Sequence, residues 1–159
     1  MKSGFSVLLA TILAVFLTGL VQSQTSPEPV KSKFDPELAK AVGADDHGMR
    51  SYILVILKTG PNKIPAGPER DEMFKGHFAN MKRLAAEKKL VLAGPFDGVD
   101  GWRGLFIFSV TDMEEVKKLV ASDPVVSKGE MVADYHRHYG SAALMLVTEM
   151  HEKITRKDF

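Results

Sequence analysis

An α+β domain, with four strands and two helices alternating as β-α-β-β-α-β, is the fold class the sequence predicts. Three observations carry it. Apolar runs rich in β-branched and aromatic residues recur at 52–57, 90–93 and 103–110, and 130–139 reads as a fourth strand. Two segments between them switch to helical spacing. Glycine and proline cluster where these segments meet.

The first strand, Tyr52-Ile-Leu-Val-Ile-Leu57, is continuously apolar and so is expected to be buried on both faces. Residues 59–68 hold two glycines and three prolines and read as a loop. From 69 to 89, Met73, Phe74, His77, Phe78, Met81, Leu84 and Ala85 form one stripe. Lys75, Asn80, Lys82, Glu87 and Lys88 lie off it. Leu90-Val-Leu-Ala93 is the second strand, closed by Gly94-Pro95. A turn at 98–101 leads into the third strand, with Leu105, Phe106, Ile107 and Phe108. Thr111-Asp-Met-Glu114 fits a capping box for a helix that turns Met113, Val116, Leu119 and Val120 inward. Asp123 precedes Pro124, which ends that helix. This order is the split βαβ, ferredoxin-like arrangement, with both helices on one face of an antiparallel sheet. The other face would be bare, and a bare apolar face marks an association surface. A homodimer packed sheet to sheet would cover it. The apolar tail at 141–150 is expected to dock on its own subunit or the partner.

The chain has 159 residues, 45% hydrophobic and 26% charged, enough for a core. The one charge among the first 23 residues is Lys2, so the remainder carries 20 basic and 20 acidic side chains. No basic field exists to attract nucleic acid or anionic lipid. The absence of cysteine excludes disulfides, thiolate ligands and a cysteine nucleophile. Residues 1–23 read as a secretory signal peptide: Lys2, an apolar core at 5–20, then small residues before a cut after Ser23. An uncleaved anchor is the alternative, though the stretch is short of the ~20 apolar residues a span needs. Secretion or a periplasmic location, with no membrane attachment after cleavage, is the resulting expectation. Residues 24–50 form a linker, with a short helix at 36–42 capped by Asp35 and ended by Gly43. His47 in Asp45-Asp46-His47-Gly48 reads as part of a solvated turn. The domain itself occupies 51–140, and 141–159 is an extension.

Gly76-His77-Phe78-Ala79-Asn80, then Leu90-Val-Leu-Ala-Gly-Pro-Phe96, then Asp123-Pro124-Val125-Val126 with Gly129 resemble the pattern of the YCII-related family. The match runs in order through nearly the whole domain. The resemblance implies a dimeric α+β barrel. It also implies an active site built from a helix histidine and the aspartate of the Asp-Pro step, here His77 and Asp123. The wider superfamily includes muconolactone isomerase-like and monooxygenase-like proteins.

His77 sits on an apolar stripe, where a histidine must find a polar partner. Its titration range suits acid–base work near neutral pH. The plain alternative is a core histidine satisfied by a backbone carbonyl. Asp123 could fix its tautomer, or could be a simple turn residue. Gly94 and Pro95 could bring backbone close to a ligand, or could end a strand. Phe74 and Trp102 are candidates to line a pocket with them. Asp134, His136 and His138 alternate onto one strand face and form a rival metal site. No phosphate loop, nucleophile elbow or dinucleotide fingerprint occurs, and no cofactor is implied. The expected activity is therefore a cofactor-free proton transfer, hydrolysis or elimination on a small molecule. A non-catalytic small-ligand-binding dimer is the alternative.

Overall fold

The computed structural model of the chain describes residues 34–157. The signal-peptide and cleavage-site readings, and most of the spacer before residue 34, lie outside the described residues. No helix among the described residues is long and apolar enough to cross a membrane.

Chain order follows the chemistry of the segment ends. Helix α1 (Pro36–Val42) starts where the Asp35 carboxylate accepts the Leu38 N–H and stops at Gly43 in the left-handed region. Asp45 closes the next turn by accepting the N–H groups of His47 and Met49. Strand β1 (Met49–Thr59) leads through a loop to α2 (Pro68–Ala86), then to β2 (Leu90–Pro95) and β3 (Trp102–Phe108). Helix α3 (Met113–Ala121), the single turn α4 (Pro124–Ser127), β4 (Met131–Ser141), a 3-10 turn (Ala142–Leu146) and α5 (Val147–Ile154) complete the chain.

The four strands make one antiparallel sheet in the order β2-β3-β1-β4, so β1 lies inside and β4 at an edge. Alternation sends Ile53, Val55, Leu57, Phe106 and Phe108 to one face. Met73, Leu84, Val116, Val120 and Val125 from the helices close over them, and all ten side chains are buried. At roughly 1.5–3 kcal/mol for each fully buried large apolar side chain, this layer drives the fold.

Four expectations change. The capping box is displaced by one residue: Asp112, not Thr111, accepts the Glu115 N–H at 2.7 Å. Its carboxylate sits where the chain is still extended, which is the geometry a cap requires. Asp123 does not merely end α3, because its side chain begins α4, with Pro124 in the first helical position. Phe78 is 45% exposed, so it marks the margin of the α2 stripe rather than its core. The second sheet face is not bare. Leu144 and Met145 of the tail pack against Tyr52, Val91 and Ile107 there. The Tyr52 hydroxyl donates to the Ser141 carbonyl at 2.9 Å, and the Ala142 N–H donates to the Gly48 carbonyl. The tail thus folds back over its own sheet.

Candidate functional site

His77 and Asp123 meet in the interior. His77 comes from the middle of α2, on the turn that faces α4. Gly76 permits that approach: a Cβ there would stand 2.9 Å from the Pro124 ring. The His77 Nδ1 lies 2.9 Å from both carboxylate oxygens of Asp123. Asp123 is fully buried and His77 is 8% exposed. A buried carboxylate needs donors on all sides. Asp123 has them: the Val125 N–H donates at 3.1 Å, and the Asn80 amide donates at 3.1 Å to the other oxygen. Asn80 is itself oriented by the Arg83 guanidinium, which donates to its Oδ1 at 2.8 Å.

The electronic consequence follows from the donor inventory. A carboxylate accepts only, so the His77 proton belongs on Nδ1 and Nε2 presents a lone pair. Nε2 makes no hydrogen bond among the described residues, none of which has a buried side-chain nitrogen or oxygen without a partner. The residual exposure of the ring therefore includes Nε2. Phe106 stacks on the imidazole at 6.0 Å, Phe74 meets it edge-on at 6.0 Å, and Phe78 lies at 5.3 Å. The result is an imidazole with one nitrogen fixed by a carboxylate, apolar walls and one nitrogen toward the surface. Such an arrangement can accept and return a proton.

The other sequence candidates are placed as follows. Phe74 is beside the imidazole, as above. Gly94 and Pro95 close β2 just after Ala93, whose ladder partner is Phe106. A Cβ at Gly94 would meet nothing within 4 Å. Trp102 packs on Phe96 at 5.4 Å and is 45% exposed. Asp134, His136 and His138 share one face of β4 but do not converge, since neighbours on one strand face stand about 7 Å apart. Asp134 pairs with Lys58 at 2.6 Å, and His138 lies against Tyr52. Among the described residues no three His, Cys, Asp or Glu side chains could hold a metal ion together.

Sequence reasoning passed over Asn80, which lies off the apolar stripe yet reaches Asp123 from the next turn. Its spacing of three from His77 was the available signal. It also passed over Glu130. This carboxylate is 6% exposed and accepts two hydrogen bonds from the Arg70 guanidinium, at 3.1 and 2.7 Å, and one from the Ile64 N–H. Burial pushes its carboxyl up. The Arg70 and Ile64 hydrogen bonds, with the charges of Arg70 and Arg103, outweigh that and hold it below the ordinary carboxylate range.

The fold and site define a small α+β domain whose interior holds a histidine–aspartate pair. The YCII-related domain family matches residues 51–136, more than half of the chain, and the chain belongs to that family. It is 34% identical over 81 residues to the uncharacterized protein YjpA of Bacillus subtilis (strain 168), which is 51% of this chain and 85% of that protein. It is also similar to the solved structure of 5-chloro-2-hydroxyhydroquinone dehydrochlorinase (TftG) from Burkholderia phenoliruptrix AC1100 in complex with 2,5-dihydroxybenzoquinone. That likeness has a TM-score of 0.42 at 22% identity and covers 55% of this chain and 92% of that one. At that level it bears on neither substrate nor reaction here.

Proposed function

We propose that the chain is a small-molecule enzyme of the YCII-related type in which His77 is the general acid/base and Asp123 its positioning residue. The observation that carries this reading is the Asp123 carboxylate with both oxygens 2.9 Å from Nδ1, leaving Nε2 as the free nitrogen. A fully buried carboxylate is costly, and a structural link between α2 and α4 could be made from apolar side chains instead. The reactions that fit are proton transfer next to a carbonyl, hydrolysis or elimination, none of which needs a redox group.

The test is turnover of a panel of small carbonyl compounds and esters by the wild type and by His77→Gln. Removing a general acid/base is expected to lower turnover by about 10²–10⁴-fold. A folded His77→Gln protein with wild-type turnover would overturn the proposal. Two further parts of the reading are secretion after cleavage at Ser23, and a homodimer of the α+β barrel type in which a second copy completes the sheet face left half-covered at Leu54, Leu92 and Leu105. Light scattering on the purified protein decides the second: a mass of two chains supports it, and a mass of one chain removes it.

A further inference from the structure

A second polar site, at the N-terminal turn of α2, shares no lining residue with the His77–Asp123 pair, although its Arg70 lies over the Phe74 ring that flanks His77. Thr59, Asn62, Ile64, Arg70, Arg103 and Glu130 are among the residues that line a pocket there of about 200 Å³, which Lys63 and Ala66 complete. At about 30 Å³ per water, the space holds on the order of six waters, or an organic group of similar size.

The walls are fixed by backbone. The Gly60 N–H donates to the Glu130 carbonyl at 2.8 Å, and the Asn62 N–H donates to the Gly129 carbonyl at 3.1 Å. A Cβ at Gly60 would fall 2.2 Å from the Gly129 oxygen, so no other residue permits this contact. The Asn62 amide donates to the Lys128 carbonyl at 2.8 Å. The loop is therefore stapled to the start of β4, and the pocket is pre-formed.

Its charges are not balanced. Arg70 and Glu130 satisfy each other. Arg103 and Lys63 remain, and neither makes a side-chain hydrogen bond or ion pair among the described residues. Arg103 is brought to this position by the irregularity in the β1–β3 ladder, where Leu57 pairs with Gly104 and Lys58 with Trp102, so Arg103 has no ladder partner. It is half-buried, close enough for its charge to act on Glu130. Arg103 thus lines the pocket with no acceptor from the described residues on its side chain, and its donors remain available to a bound group.

We propose that this pocket binds the carboxylate of a small organic acid, with Arg103 as the fork that holds it and Lys63 as a second cation at the rim. A carboxylate matches the planar guanidinium by two parallel hydrogen bonds. A carboxylate is planar like the guanidinium and fills the Arg103 fork by itself, and inorganic phosphate, which the same cations would also attract, is told apart by the titration below. Ile64 and Ala66 offer apolar wall to the body of the acid. The site stands on these residues alone and does not depend on catalysis at His77.

The test is a titration of the isotopically labelled full-length protein with propionate, followed by the backbone amide signals of Asn62, Ile64 and Arg103 in a buffer free of other carboxylates. Saturating shifts confined to this pocket are expected. Loss of the bidentate contact in Arg103→Gln is expected to weaken affinity by about tenfold or more. Should Arg103→Gln fail to fold, Lys63→Gln on the exposed loop takes its place and is expected to weaken affinity several-fold. Shifts that never saturate, or equal affinity in a folded variant, would overturn the site. Saturation by inorganic phosphate but not by propionate would overturn the carboxylate assignment.

Discussion

Replacing Asp123 with asparagine changes one atom of the site and leaves its shape alone. The three groups around the carboxylate, the His77 Nδ1–H, the Asn80 amide and the Val125 N–H, all donate. Asparagine offers one oxygen and one NH₂. If the oxygen keeps the Val125 N–H, the NH₂ faces the Asn80 amide at 3.1 Å, donor against donor. If the amide turns over, the NH₂ faces the Val125 N–H instead. Asn80 cannot simply flip, because its own oxygen is held by Arg83. One buried donor is left without an acceptor in either case, which costs about 1–3 kcal/mol. With Asp123 fully buried, solvent gives no relief. Urea unfolding is the assay. For a slope of about 1–3 kcal/mol per molar, a loss near 2 kcal/mol moves the midpoint down by about 1 M. A midpoint unchanged within ~0.2 M, at unchanged slope, would refute the idea that three donors converge on this carboxylate.

Two further outcomes follow from neighbouring sites. Glu130 is held below the ordinary carboxylate range by Arg70 and Ile64 despite its burial. A depressed carboxyl contributes stability that is present above the unfolded value of about 4.3 and is lost as pH falls through the lower folded value. Wild type should therefore exceed Glu130→Gln in thermal stability at pH 7, and the gap should narrow in acid below about pH 4. A gap that does not change with pH would remove the ionic account. Gly76→Ala would ordinarily gain about 1 kcal/mol in a helix interior. Here its Cβ would meet the Pro124 ring at 2.9 Å, so a net loss of about 1 kcal/mol or more is expected by denaturation, and a gain would contradict the close packing of α2 on α4.

The fold was legible wherever local chemistry and periodicity agreed. Helix α1 has the start and stop that Asp35, Pro36 and Gly43 announce. The continuous apolar run at 52–57 announced a strand covered on both faces, with Ile53, Val55 and Leu57 on the helix side and Tyr52 on the other. What escaped was decided by non-local contacts. Helix α4 is four residues long, too short to show a period, and its one signal, Asp123 before Pro124, reads equally as the end of α3. The tail is apolar in sequence, but only the Tyr52 hydroxyl reaching Ser141 shows which surface it covers. The Trp102-Arg103 step after the turn could be read as a pocket mouth, a hairpin or an interface, because a ladder irregularity leaves no mark in composition. His77 and Asp123 were legible as candidates, one from its stripe and the other from the family resemblance. Their meeting across 46 residues was not legible from spacing, nor was the part played by Asn80.

The central claim is that Asp123 holds the His77 proton on Nδ1 and so frees Nε2 for chemistry. The ¹⁵N spectrum of His77 at a pH where the ring is neutral reads this directly. The account predicts a protonated Nδ1 and a bare Nε2 in the wild type, with that preference lost in Asp123→Asn. A wild-type ring protonated on Nε2, or the same tautomer in both proteins, would contradict it.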